Sequence, residues 1–262
     1  MGKIKIFLSD TQVLFREGIH FALSGEDDFE VVGETTNNED ALAQIKVNPP
    51  NMAILSMQNG KLTGSEATRH IRQHSPSVSV ILIAEKIVEE QLFSAIESGA
   101  SACLTKDTDP EQLVSTIRLV IQGNQPIIEA LLMPGIASRA LIEFEDLAYM
   151  SKQMENLLPG LAPKEAEILN SISTGNKIDQ VAAKLDMNEE TIKRTLGLIR
   201  DKLVANYQAL AVIEATQRGL PSIRGGVVKM GGPSTEYVTR EEFTRFKESL
   251  IQRLKAMIGN AI

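Results

Sequence analysis

Seven residues between positions 177 and 200 carry the side chains that this chain would need to read duplex DNA. Glu190, Thr191, Lys193, Arg194 and Gly197 fall close together, with Lys177 before them and Arg200 after. Lys or Arg can donate to guanine O6 and N7, Glu can accept from cytosine N4, and each good pair is worth roughly 1–3 kcal/mol of discrimination. Thr191 is placed for a phosphate. Gly197 permits close approach and lowers helix stability by about 1 kcal/mol relative to Ala. Glu189 and Glu190 also stand one turn before Lys193 and Arg194, so their other use is i,i+4 pairing in the free protein.

Such chemistry needs a rigid helix beneath it. Ile192, Leu196, Ile199 and Leu203 recur at i, i+4, i+7 and i+11, a spacing that puts one apolar stripe on a helix. Glu190, Lys193, Arg194 and Gly197 then share the opposite face. A shorter amphipathic segment, Ile178 to Leu185, precedes it with Val181, Ala182 and Leu185 as the buried side. The link Asp186-Met187-Asn188 is so short that the two helices must cross steeply, as a helix-turn-helix does. Asn188 is suited to cap the second helix.

The run LAPKEAEILNSISTGNKIDQVAAKLDMNEETIKRTLGLIRDKL resembles the LuxR-type helix-turn-helix that closes the NarL/FixJ class of bacterial response regulators. Leu161, Pro163, Glu165, Leu169, Gly175, Ala182, Leu185, Thr191, Lys193 and Leu203 sit where that pattern expects them. Two positions depart from it: Asp186 replaces the usual turn Gly, and Thr195 the usual recognition-helix His. Both bear on the operator sequence more than on the fold.

Upstream, Lys5 to Leu8, Phe29 to Val32, Met52 to Leu55, Val80 to Ile83 and Ala102 to Thr105 read as strands. Helical patterns begin near Leu14, Asn38, Ser65, Glu89 and Pro110. Five strand-helix units predict a doubly wound five-stranded parallel sheet with helices on both faces, its crevice at the C-terminal strand ends. The fold class is therefore α/β plus all-α.

LFREG at Leu14 to Gly18 and GASACLTKD at Gly99 to Asp107 resemble the CheY-like receiver domain of the same regulators. Receivers transfer phosphate to an aspartate beside a magnesium ion held by acidic neighbours. Carried over position by position, the acceptor becomes Ser56, the acidic pair becomes Asp10 and Thr11, the phosphate-following hydroxyl becomes Ala84, and the aromatic switch becomes Cys103. Asp10 and Lys106 persist. One carboxylate is left where a hard divalent ion takes several oxygen ligands. The resemblance therefore implies a degenerate, non-phosphorylatable pseudo-receiver, kept as a dimerisation and docking surface, with no metal and no cofactor.

These residues also have ordinary readings. Ser56 is a strand-end serine with a satisfied hydrogen bond, or a substrate for a serine kinase. Cys103 is a small buried hydrophobe or a redox sensor, and Lys106 pairs with Asp10 or stays solvated. His20, His70 and His74 lack a cysteine or carboxylate cluster at ligand spacing, which argues against zinc.

The chain of 262 residues is 43% hydrophobic and 23% charged, long enough for two packed domains with a linker or tail. The expected division is a pseudo-receiver over 1–123, a linker with a helix over 124–160, a LuxR-type helix-turn-helix domain over 161–220, and a flexible segment with a C-terminal amphipathic helix over 221–262. The linker helix should run from about Ser138 to Leu157 and dock Leu141, Ile142, Phe144, Leu147, Ala148 and Met154 on a neighbour or a second subunit. In the tail, Thr239 and Glu242 form a capping-box pattern, followed by Phe243, Phe246, Leu250, Leu254 and Met257.

A single cysteine excludes an internal disulfide and fits a reducing cytosol. No apolar run nears the roughly 18 residues of a membrane span, and no secretory signal opens the chain, so a cytoplasmic protein without membrane partners is expected. Net charge is −7, divided as −7 over 1–123, −3 over 124–160, zero over 161–220 and +3 over 221–262. A neutral DNA-binding segment must gather its cations on one face, because phosphate neutralisation supplies much of the affinity. Lys177, Lys193, Arg194, Arg200 and Lys202 are the candidates.

These readings converge on a sequence-specific transcription regulator rather than an enzyme. It would act as a homodimer on double-stranded DNA, with half-sites about one helical turn apart, independently of aspartyl phosphorylation. An unknown signalling protein or small ligand would act at the pseudo-receiver. The alternative is a protein-interaction or scaffold module that has lost DNA binding, favoured by the neutral charge of 161–220 and the replaced His.

Overall fold

The computed structural model describes residues 2–153, 158–219, 222–224, 227–229 and 237–238, with side chains over 2–148 and 158–210. Met154 and the expected tail helix after Thr239 lie outside the described residues.

Five strands, β1 (Ile4–Ser9), β2 (Phe29–Thr35), β3 (Met52–Ser56), β4 (Ser79–Ala84) and β5 (Ala102–Thr105), alternate with α1 (Val13–Ser24), α2 (Asn38–Val47), α3 (Gly64–His74), α4 (Glu89–Ser98) and α5 (Pro110–Ile121). All strand pairs are parallel, in the order β2-β1-β3-β4-β5. Every strand and helix of this half falls where the hydrophobic pattern placed it. The β3 segment MAILS is buried at each position, as a central strand covered on both faces requires. The order is that of the CheY-like fold, and it reverses between β1 and β3, so the chain leaves these two strands in opposite directions and opens a crevice at their C-terminal ends.

Alternation along β1 sends Phe7 to one side of the sheet and Ile6 and Leu8 to the other. The Ile6 side forms a self-contained core with Ile19 and Leu23 of α1, Ile54, Ile81, Ile83, and Leu113 and Ile117 of α5. The Phe7 side continues through Leu82, Phe93 and Ile96 into Ile127, Leu131, Phe144, Ile168, Leu169, Ile192, Leu196 and Ile199 without a break. The sheet is thus closed on its α1/α5 side and fused to the helical half on the other.

After α5, a 3-10 segment (Pro126–Leu132) leads into α6 (Pro134–Gln153), α7 (Pro163–Ser173), α8 (Ile178–Leu185) and α9 (Glu189–Gly219). Helix α6 begins at Pro134, earlier than the expected Ser138. Proline suits the first helical position, since it has no N–H to leave unpaired there. Phe144 and Leu147 are buried as expected, but Ile142 is 56% exposed and does not join the docking stripe. Residues expected to be a flexible connection instead include three short antiparallel strands, β6 (Ser222–Arg224), β7 (Val227–Lys229) and β8 (Tyr237–Val238). Their Ile and Val residues favour pairing, which the glycine count alone concealed.

Candidate DNA-binding face and receiver crevice

The apolar stripe of α9 packs as its spacing demands, with Ile192, Leu196 and Ile199 fully buried and Leu203 nearly so. Val181 of α8 is buried beneath it, while Ala182 and Leu185 pack at the edge of the same core. Asn188 Oδ1 accepts from the Thr191 backbone N–H at 2.7 Å and from Thr191 Oγ1 at 2.7 Å. That cap starts α9 but also occupies the Thr191 hydroxyl. Asp186 closes α8 in the left-handed region, with φ 50° and ψ 49°, where a Cβ is strained. It is the one non-glycine residue with positive φ among the described residues.

The seven candidate DNA contacts do not form one surface. Lys177, Glu190 and Arg194 are exposed, and Glu190 and Arg194 make no hydrogen bond or ion pair among the described residues. The stripe Lys193, Gly197, Arg200, Val204 and Tyr207 instead turns toward the sheet half. Lys193 Nζ lies 3.9 Å from Glu129 of the 3-10 segment, and a Cβ on Gly197 would rest 3.5 Å from Ile128. Arg200 is 4% exposed and donates through Nη2 to the Ala100 carbonyl at 3.1 Å. Arg69 of α3 stacks over the Tyr207 ring at 5.2 Å.

Arg200 is therefore an anchor between the two halves, in a site where burial drives its pKa below the usual guanidinium range. Lys202 is also withdrawn from the cationic face. Its Nζ reaches Glu165 Oε2 at 2.6 Å and the Gly160 carbonyl at 3.0 Å, tying α9 to the start of α7. Sequence spacing places residues around a helix but does not say which side a second domain will cover.

At the C-terminal ends of the strands, Asp10 is 4% exposed and Ser56 is 6% exposed. Lys106 Nζ sits 3.0 Å from Asp10 Oδ2 and 2.9 Å from Glu85 Oε1. Asp10 Oδ1 also accepts from the Gln12 backbone N–H at 2.7 Å, and Gln12 Nε2 donates to Glu85 at 2.8 Å. Of the two readings for Lys106, pairing with Asp10 is the one observed. Ser56 Oγ donates to the Gln58 carbonyl at 3.3 Å. The void beside Ser9, Asp10 and Ser56 measures about 10 Å³, room for a single water.

Thr11 is exposed, whereas Ala84 is buried under the crevice. Cys103 is half-buried, and burial pushes its thiol up to about 11, which leaves it little thiolate and little reactivity. Among the described residues no group of three His, Cys, Asp or Glu side chains is placed to hold a metal ion. His20 pairs with Glu34, and His74 Nδ1 lies 2.9 Å from the His70 carbonyl.

A buried amide network escaped the sequence reading. Asn38 is fully buried and donates to the carbonyls of Ser56 and Leu62, both at 3.0 Å. Its Oδ1 accepts from Ser9 Oγ at 3.1 Å, and Asn59 Nδ2 donates to that Ser9 oxygen at 2.9 Å. The sequence marks Asn38 only as the start of a helical pattern, and the asparagine before it, Asn37, caps α2. Nothing local distinguishes the second asparagine, which ties the ends of β1 and β3 to the loop at Leu62.

Strand order and crevice define a receiver-type α/β domain, and the short α8–α9 joint defines a helix-turn-helix packed against it. Residues 6–118 match the response regulator receiver domain family. Over 221 residues the chain is 29% identical to the transcriptional regulatory protein YxjL of Bacillus subtilis, spanning 83% of this chain and 97% of the relative. The transcriptional regulatory protein DegU of Brevibacillus brevis is 26% identical over 234 residues, 85% of this chain and 97% of that one. A DNA-binding response regulator of the LuxR family from Staphylococcus aureus, known as a crystal structure, is 25% identical and covers 45% of this chain and 98% of its own, with a TM-score of 0.44. The homologues are transcriptional regulatory response regulators, not enzymes. No helix among the described residues is long and apolar enough to cross a membrane.

Proposed function

We propose that this protein is a sequence-specific DNA-binding transcription regulator that acts as a dimer and does not depend on aspartyl phosphorylation. The observation that carries the reading is a capped recognition helix whose Arg194 and Glu190 stand exposed, with no partner among the described residues. Phosphorylation independence rests on Ser56 in the acceptor position and an ammonium already seated between Asp10 and Glu85. Lys193 and Gly197 face the 3-10 segment, so binding through the whole ridge requires α9 to move away from it. Arg200 would then enter the ridge only if its contact with Ala100 broke.

Selection of bound fragments from genomic DNA would supply the operator. Against it, Lys193→Ala with Arg194→Ala should weaken binding by tenfold or more, at about 1–3 kcal/mol per lost base contact, and flatten its salt dependence. If no fragment is enriched over random competitor, the chain is a scaffold module, the reading that the neutral charge of 161–220 would favour.

A further inference from the structure

Between α2 and α3 a cleft of about 130 Å³ opens beside the last turns of both helices. Its floor is apolar: Ile45 and Ile71 are each 1% exposed, and Leu42 packs against the same core. Its rim is polar and carries four groups with bonds still to make. Lys46 and the His70 ring form no hydrogen bond or ion pair among the described residues, and Ser75 Oγ, on a buried residue, has no partner there either. His74 donates through Nδ1 to the His70 carbonyl at 2.9 Å, since a carbonyl can only accept, and so keeps Nε2 available. No carboxylate lines the cleft. The charged groups acting on His70 along α3 are Arg69 and His74 and, in opposition, Glu66, whose Oε2 is already engaged by the Thr63 backbone N–H and hydroxyl at 2.9 and 2.8 Å; from α2 it shares the cleft with Lys46. Burial first, then Arg69 and His74, hold His70 below the ordinary histidine range. The second cause is a positive field that lacks a counter-ion.

We propose that this cleft binds a small monocarboxylic acid, its carboxylate taken by Lys46, Ser75 and His70 and its apolar body, of about benzene size, resting on Leu42, Ile45 and Ile71. Charge and volume together select that occupant. An ammonium and a hydroxyl can donate to the two carboxylate oxygens, and such charge-assisted bonds are roughly twice as strong as neutral ones. A cavity of roughly 150 Å³ lined by aliphatic and aromatic side chains holds one benzene ring. Cations in the last turns of α2 and α3 also complement the carbonyl ends of those helices. That accounts for the charges but not for the apolar recess between them. A bare phosphate would leave the recess unfilled, and a divalent metal on the i,i+4 pair His70 and His74 would face Lys46 with no carboxylate to offset it. The cleft lies on other elements than the Asp10 and Ser56 crevice, and the inference does not rest on the DNA-binding reading.

The test uses the full chain and sodium benzoate. The chain has 3 histidines, so the ring Cε1–H signals of His20, His70 and His74 can be assigned with His20→Gln, His70→Gln and His74→Gln and followed by NMR. Benzoate should move the His70 and His74 signals saturably at millimolar concentration or below and leave His20 in place. It should also raise the pH midpoint of the His70 titration, since a nearby negative charge favours the protonated ring. Benzamide, with the same body and no charge, and inorganic phosphate, with charge and no apolar body, should each bind about tenfold more weakly or worse. Lys46→Ala, at an exposed position that leaves the circular dichroism unchanged, should weaken benzoate by about fivefold or more. Equal binding of benzamide or phosphate, a His20 shift as large as that of His70, or full affinity in Lys46→Ala would overturn the proposal. So would zinc chloride moving both rings where benzoate moves neither, or signals that follow protein concentration rather than benzoate, which would make the cleft a contact between copies of the chain.

Discussion

Lys106 and Arg194 are both cations at the rim of a polar surface, and their surroundings differ in one respect. Lys106 is held by Asp10 and Glu85 at about 3 Å each, in a crevice where Ser9, Asn38 and Asn59 are also bonded to one another, with Asn59 Oδ1 left without a partner among the described residues. Arg194 has no partner among the described residues and faces outward from α9. The crevice supplies its own counter-charges and is consistent as it stands, whereas the α9 face needs them from outside. A polar cluster that satisfies itself serves the fold, and one that does not is where a ligand gains the most, because unpaired charges have a bond still to make.

The largest test of that contrast is stability. Lys106→Met leaves Asp10 buried without its counter-ion and should lower the unfolding free energy by about 3 kcal/mol, measured in urea. Arg194→Ala should stay within about 0.5 kcal/mol of the parent, as exposed substitutions do. Equal effects at both sites would break the comparison.

A second test concerns the seam between the regions. Glu97 of α4 is pushed up to about 7 by burial and by Glu143 of α6, against the opposing pull of Arg139. Below its ordinary value near 4.5, the carboxyl is protonated in folded and unfolded chains alike. Between there and about 7 only the folded chain keeps the proton, so stability falls as pH rises through that window. Glu97→Gln should flatten the fall in thermal midpoint between about pH 5 and 8. An unchanged pH profile would place the sensitivity elsewhere. The smallest expected effect is at the turn: Asp186→Gly should raise stability by about 1 kcal/mol by relieving left-handed strain without altering the crevice.

The five strand-helix units and the α8–α9 joint were legible because hydrophobic period and capping residues are local signals. Ile192, Leu196, Ile199 and Leu203 reveal a buried stripe wherever the helix lies. The sites were less legible. Asn38, legible only as the start of a helical pattern, is a buried tie among the ends of β1 and β3 and the loop at Leu62. Arg200 and Lys202 looked like members of a cationic ridge, and packing turned both inward.

The sequence alone determined the elements, their order, and the residue types at the crevice and on the recognition helix, since each follows from neighbours a few positions away. Only the tertiary structure decided which polar groups are used up internally. That outcome depends on contacts between residues far apart in the chain, such as Lys106 with Asp10 and Arg200 with Ala100, and no local period encodes which face of a helix another domain will cover.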